Sequence, residues 1–297
     1  MTSTAIFVLY HKPAPLFSSG VYRPLQTGAA LADKDFGFLR DNDGPDNISA
    51  QNPNYGELSG WYWVWKNFLP AHPEITRVGF CHYRRFLDPF REPQGMFPFR
   101  PELATSFETR FREWDDESVE KAFQAADIVV SAPRDLRKSP LYDRKHETIY
   151  THCATSHPKR DLDALLEIMA ADGPETREAI RDVFNGHSFR DCLMFVMRRD
   201  LFEDLAAWMF RQLFKLERVS NWSGYTDYQT IRTPAYLAER TINVWYKLHS
   251  EASVLERDTV RLVSKMPTFF ERLRLELRRY RHPPRDARTV SLPMLLS

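Results

Sequence analysis

Strand-like apolar runs alternate with helix-period patterns along most of this 297-residue chain, and each run stops at polar or turn-forming residues. The runs cover residues 4–10, 77–83, 127–132 and 193–197, and the helical patterns fall at 57–68, 116–125, 158–171, 174–184 and 200–217. Runs without a polar face belong in a sheet covered on both sides, so the alternation predicts an α/β fold with a mostly parallel central sheet flanked by helices. In open sheets of that kind ligands bind beyond the carboxyl ends of the strands. The residues that close each run are therefore the first candidates for chemistry.

His11-Lys12 closes the first run and His82-Tyr83-Arg84-Arg85 closes the second. On a turn, two adjacent guanidinium groups can clamp a phosphate pair through bidentate hydrogen bonds; the plainer reading is a surface pair bonded to nearby carboxylates. Residues 33–56 form a long polar stretch without core periodicity, a length of loop that is usually functional or disordered. It contains Asp41-Asn-Asp43, a pattern that serves metal-bridged diphosphates but is also common in turns; Asp161-Leu-Asp163 reads as the solvated face of a helix. Glu57 reads as a helix N-terminal residue complementing the dipole ahead of a direct role in the site, and Tyr62, Trp63 and Trp65 as core rather than a sugar-stacking platform.

Several classes are excluded. No uninterrupted apolar run reaches membrane-spanning length, and the first ten residues carry neither a basic leader nor a small-residue cleavage site, which reads as a cytoplasmic chain. The three cysteines, Cys81, Cys153 and Cys192, keep no metal-ligand spacing. The net charge of +1 conceals a polar distribution: residues 257–288 hold ten basic and four acidic side chains, a local +6, against −5 elsewhere. Within that segment residues 267–282 read as a basic amphipathic helix, suited either to packing on the body or to a lipid headgroup layer. If the second holds, anionic liposomes retain the full chain and lose one truncated at Pro267. Nucleic-acid binding through this tail would leave the strand-end motifs unexplained, and nucleic acid is not assigned as a partner.

The order His11-Lys12, Asp46-Asn-Ile-Ser49, Asn52, Glu57-Leu-Ser59, Tyr62-Trp-Val-Trp-Lys-Asn67 and Gly79-Phe-Cys-His-Tyr-Arg-Arg-Phe86 resembles the domain of unknown function 4422 family, found in bacterial capsule and O-antigen clusters and regarded as glycosyltransferases. The resemblance thins over 90–185, returns at 194–197 and at 238–245, and is silent beyond about 250. Ser59 stands where the family usually has threonine, and Leu193 where asparagine is expected, which puts a polar sugar contact there in doubt.

The resemblance implies a single Rossmann-like domain of the glycosyltransferase A type over residues 1–250, followed by a basic extension over 251–297. It further implies a transferase moving a hexose, galactose or galactofuranose among the candidates, from a nucleotide-diphosphate sugar, UDP foremost. The acceptor would be a surface polysaccharide or lipid-linked glycan at the inner face of the membrane. On this reading His11, Lys12, Asp46, Asn47, Asn52, His82, Tyr83, Arg84 and Arg85 bind the nucleotide sugar, with arginine charge on the diphosphate. Glu239 and Asp191 are the candidates for the base that deprotonates the acceptor. No metal ligand is assigned, and Mn2+ or Mg2+ stays open because Asp41 and Asp43 could approach the site. The alternative is a non-catalytic nucleotide-sugar or glycan-binding protein of polysaccharide assembly.

Overall fold

The computed structural model describes residues 2–93, 99–137, 148–268, 270–271 and 293. The first run forms β1 (Thr4–Tyr10), with all seven residues buried. Its side chains divide by the period of two: Ala5, Phe7 and Leu9 enter one apolar cluster, and Ile6, Val8 and Tyr10 enter the cluster on the other face. Parallel to β1 run β2 (Tyr22–Gln26) on one side and β4 (Arg77–His82) on the other, with the short β3 (Leu39–Arg40) parallel to β2. Beyond β4 come β10 (Phe195–Arg198), then β7 (Ile128–Ser131) and β11 (Val254–Arg257). The β10 strand runs antiparallel to both neighbours. Gly79 makes this crowding possible: a Cβ there would meet Val196 Cγ2 at 2.7 Å and the Phe195 carbonyl oxygen at 2.9 Å.

A side branch completes the sheet, which has ten strands among the described residues. The chain turns after His82 into β5 (Arg85–Leu87), which pairs antiparallel with β12 (Thr259–Val263), and β12 in turn pairs parallel with β6 (Arg100–Leu103). Ionic bonds lock this branch: Arg100 reaches Asp88 and Glu102, each at 2.8 Å, and Asp258 at 2.7 Å, while Arg110 reaches Asp88 and Glu102, each at 2.7 Å. A separate two-stranded ribbon joins β8 (Arg134–Asp135) to β9 (Ser188–Phe189).

The sheet thus continues through Val263, past the edge expected at residue 250, because Val254–Arg257 and Thr259–Val263 pair with β7, β5 and β6. The expected basic amphipathic helix at 267–282 lies outside the described residues for all but its first positions. Among the described residues no helix is long and apolar enough to cross a membrane.

The helices cover both faces. Trp61, on the helix Leu58–Trp63, is fully buried and meets Phe80 of β4 at 5.1 Å and Phe195 of β10 at 4.7 Å, centroid to centroid. Tyr62 and Trp63 are buried as expected for core, and Trp65 stacks on Phe210 at 6.0 Å. The expected single helix over 57–68 instead widens into a π turn at Val64–Phe68. On the opposite face Phe17, Phe86, Phe107 and Phe111 pack edge-on or tilted with ring centroids 4.7–6.3 Å apart.

Candidate functional site

The carboxyl ends of β1 and β4 open into a cleft lined by His11, Thr27, Asn52, Glu57, His82, Tyr83, Arg84, Arg85 and Arg232, with Leu9 and Gly56 at its base. Six of the nine residues expected to bind a nucleotide sugar meet there. The hairpin explains how two adjacent arginines serve one site: His82 pairs with Arg85 across a two-residue turn, which leaves Arg84 exposed at the tip and Arg85 half-buried on the return strand. Arg84 lies over the Tyr83 ring at 5.6 Å, and Lys12 approaches the same ring at 5.9 Å from the rim. His11 meets Tyr83 edge-on at 5.3 Å.

The wall across from the hairpin comes from a segment more than a hundred residues away. His82 Nε2 lies 2.8 Å from the Cys192 carbonyl oxygen. That carbonyl is turned inward because Cys192 (φ 69) and Leu193 (φ 48) both adopt the left-handed conformation, at a cost for each non-glycine residue of about 1–3 kcal/mol. Asn243 holds the approach in place: it accepts from the Arg190 N–H (2.8 Å) and donates to the Arg190 carbonyl (3.0 Å). Asp191 is thereby fixed, ion-paired with Arg134, beside the helix Thr233–Leu248 that carries Glu239. Leu193 is buried among apolar residues, so no polar contact arises at that position.

Charge is concentrated here. Burial lifts the Glu239 carboxyl to about 7; Glu57 and Asp191 push in the same direction, while Arg240 and Arg85 oppose them. Glu239 Oε2 accepts from Arg240 at 2.8 Å. Burial lowers His11, and the neighbouring cations Arg232, Lys12 and Arg84 lower it further, with Glu57 opposing; burial likewise lowers His82, which Arg85 and Arg84 reinforce. Arg261 of β12 is depressed by burial and by Arg85, Arg84 and Arg134, so four guanidinium groups crowd one flank. Arg85 Nε has no hydrogen-bond partner among the described residues although it is buried. Such a group is suited to an anionic ligand.

One residue of the cleft, Arg232, was not singled out by sequence, and a second, Glu57, was read there chiefly as a helix-end residue. Arg232 enters the cleft through the glycine at 56, whose φ of 55 is left-handed and whose added Cβ would lie 2.5 Å from an Arg232 terminal nitrogen. Glu57, read from sequence as a dipole partner, makes no cap bond and instead pairs with Arg232 at 3.2 Å. No local pattern announces either contact, since 175 residues separate them.

Three expectations need correction or relocation. Asp41 is fully buried, and its two oxygens accept from the Gly28 N–H (2.8 Å), the Ala29 N–H (3.0 Å) and the hydroxyls of Ser49 and Ser59, the latter at 2.6 Å. A carboxylate so filled is an organiser of the long polar loop and has no lone pair left for a metal. Asp43 contributes its carbonyl to the Trp63 indole. Asp46 and Asn47 stand outside the residues lining the cleft: the Asp46 carboxylate accepts from Tyr62 at 2.8 Å, and Asn47 braces its own loop through Gly44 and Ser49. Asn52 does line the cleft, with its amide donating to the Gly56 carbonyl and the Ser59 hydroxyl. Ser59 thus keeps the hydroxyl of the expected threonine in use. Among the described residues no three His, Cys, Asp or Glu side chains are grouped to hold a metal ion.

A wider, shallower depression lies at the far end of the strands, bounded by Arg77, Arg198, Arg199, Asp200 and Glu203. Two of its arginines are already paired, Arg198 with Asp200 and Arg199 with Glu203, and none of the candidate residues reaches it.

A family model described as a domain of unknown function (DUF4422) matches residues 5–251. A solved structure titled WbbM, a bifunctional glycosyltransferase in its apo form, is similar to this chain with a TM-score of 0.73 and 28% sequence identity over 90% of the chain. The chain spans about half of that protein, 48% of its length. No curated protein sequence matches significantly. The α/β architecture is that of a glycosyltransferase A-type fold.

Proposed function

The chain belongs to the domain of unknown function 4422 family, and from that membership we propose that it is a glycosyltransferase acting on a nucleotide-diphosphate sugar, UDP-linked foremost, with a glycan or lipid-linked glycan as acceptor. The observation that carries the reading is the meeting of Arg84, Arg85, Arg232 and His11 in one cleft, with Lys12 over the Tyr83 ring at its rim; the half-buried carboxyl of Glu239 stands outside the lining residues but within electrostatic reach of Arg85 and Glu57.

The chemistry follows from the charges. Arg84 and Arg85 hold the diphosphate, with Arg134 and Arg261 behind them. Asn52, His11 and Tyr83 bound the space for the nucleoside, with Lys12 at its rim. Glu239 accepts the proton of the acceptor hydroxyl as that oxygen attacks the anomeric carbon; the bond from that carbon to the diphosphate breaks, and the electron pair leaves on phosphate oxygen. Charge grows on the leaving diphosphate as the bond breaks, where fixed guanidinium groups stabilise the transition state more than the ground state. Attack from the side opposite the diphosphate inverts the anomeric configuration. Asp191, held by Arg134, positions the cationic wall and raises the basicity of Glu239. No step is routed through a divalent ion, since Asp41 is spent on its loop and arginine charge supplies the neutralisation.

The experiment is a thermal-shift series with UDP, GDP, CDP and their sugars in Mn2+ and in EDTA. One diphosphate class is expected to raise Tm by several degrees in both media. Stabilisation by no nucleotide at millimolar concentration would remove the donor site from this reading, and stabilisation only with Mn2+ would replace the arginine role with a metal.

A further inference from the structure

Glu239 restricts where an acceptor can lie. A base must come within about 2.6–3.2 Å of the hydroxyl it deprotonates, so the acceptor ring must rest against whatever flanks Glu239 on the side away from the arginine hairpin. On the helix Thr233–Leu248 that neighbour is Tyr236, three residues earlier and on the same helical face. Tyr236 lies within electrostatic reach of Glu239, Glu57, Arg232 and Tyr228. Its ring stacks on His157 at 4.4 Å with the planes 22° apart. Tyr228 stands 66% exposed, and the Arg232 guanidinium lies over its ring at 5.3 Å.

The placement of Tyr228 is built into the fold. It opens a short helix, Tyr228–Ile231, whose first turn is capped by Asp227 accepting from the N–H groups of Gln229 (3.0 Å) and Thr230 (3.1 Å). Asn54 pins the other end by donating to the Ile231 carbonyl at 2.9 Å. An exposed aromatic ring held this firmly, beside a second half-buried ring and above paired Glu57 and Arg232, pairs an apolar face with fixed hydrogen-bonding groups. Sugars offer the complement: a face of C–H groups and a rim of hydroxyls.

We propose that Tyr228, Tyr236 and His157 form a carbohydrate platform that receives the acceptor sugar, with Arg232 and Glu57 bonding its hydroxyls and Glu239 facing the hydroxyl to be glycosylated. The proposal rests on the transferase reading above. It assigns the acceptor side of the cleft, and the hairpin arginines take the donor side. His157 suits the role of a neutral stacking partner, as burial and then Arg240 hold its pKa down to about 3.

The test uses the full chain and saturation-transfer NMR with the methyl glycosides of galactopyranose, galactofuranose, glucopyranose and mannopyranose, in the presence of UDP. At least one glycoside is expected to receive saturation from the wild type. Tyr228→Ala should weaken its binding about tenfold, equivalent to roughly 1.4 kcal/mol, and Tyr228→Phe should restore it. Tyr228 is exposed, so the variant keeps the fold, and Tyr236→Ala provides the second, more buried probe. Thermal stabilisation by UDP is followed in parallel. Absence of saturation for every glycoside, or its survival in both alanine variants, would overturn the platform. Loss of the UDP shift in Tyr228→Ala would also overturn it, by making the ring a nucleobase support. Tyrosine-dependent sugar binding in a protein that UDP does not stabilise would keep the platform and sink the donor assignment instead.

Discussion

Glu239→Gln is expected to lower kcat for sugar transfer by roughly a hundred- to ten-thousandfold while leaving nucleotide-induced thermal stabilisation in place. The substitution keeps the shape and the acceptor oxygen for Arg240 but removes the only function a base needs. The pH profile supplies an independent check. With the Glu239 carboxyl at about 7, the ionised fraction falls tenfold for each unit below that value, so kcat/KM should climb through pH 6 to 7 and flatten above 8. Stability should move the opposite way. Between the ordinary glutamate range and pH 7 the folded protein holds a proton that the unfolded chain has released, so stability declines as pH rises across that interval. Glu239→Gln removes the decline and should raise Tm at pH 8 relative to wild type. A profile that stays flat through pH 7, or a Glu239→Gln enzyme with ordinary turnover, would move the base elsewhere, with Asp191 next in line.

Arg85→Ala carries the second large effect, and it acts twice. First, it removes the half-buried guanidinium that the proposed site sets against the diphosphate; charge-assisted bonds of this kind are each worth about 1.5–3 kcal/mol, so UDP affinity should fall by roughly ten- to a hundredfold and the thermal shift should largely vanish. Second, Arg85 opposes the rise of the Glu239 pKa, so its loss should move the rising limb of the pH profile upward. Isothermal titration with UDP reads the first effect, and residual kcat against pH reads the second. Arg84→Ala, at the exposed tip of the turn, should weaken UDP while moving the profile less, because Arg84 is not among the largest influences on the Glu239 carboxyl, whereas Arg85 is. Equal profiles for both variants would show that Arg85 does not face Glu239 in solution.

The parts of this site that were legible in sequence are those that a strand end fixes locally. Thr4–Tyr10 and Arg77–His82 are continuous apolar runs, so the polar residues that close them had to emerge at one sheet edge, and His11 and His82–Arg85 do. Asp41 shows the opposite case. Its spacing to Asp43 satisfies a diphosphate-metal pattern, yet the pattern says nothing of burial, and the donors that fill the carboxylate come from Gly28, Ala29, Ser49 and Ser59. Asp46 was expected at the ligand from the family resemblance, and its carboxylate instead accepts from Tyr62. The Arg232–Glu57 pair was illegible because the contact is made only when the helix of one meets the loop before the helix of the other. The strands β11 and β12 were overlooked because their charged residues sit on an edge and a branch, where alternation is weak. Residues 193–194 were expected in the fourth strand and lie ahead of it, since two left-handed residues delay its start to Phe195.

The reversed direction of β10 has a consequence for how the protein comes into being. A strand parallel to β4 would have brought its carboxyl end to the cleft; running backward, β10 delivers the residues that precede it, and the wall at Asp191–Cys192 meets His82 across 110 positions of chain. The first strands can assemble from contacts made within the opening eighty or so residues, but the cleft waits for this distant pairing, and such long-range closures are the slow steps of folding. A chain emerging from the ribosome therefore holds half a pocket until β10 has been threaded between β4 and β7. Nucleotide capture would then mark the completion of folding, and refolding followed by ligand fluorescence should lag behind the recovery of helical signal.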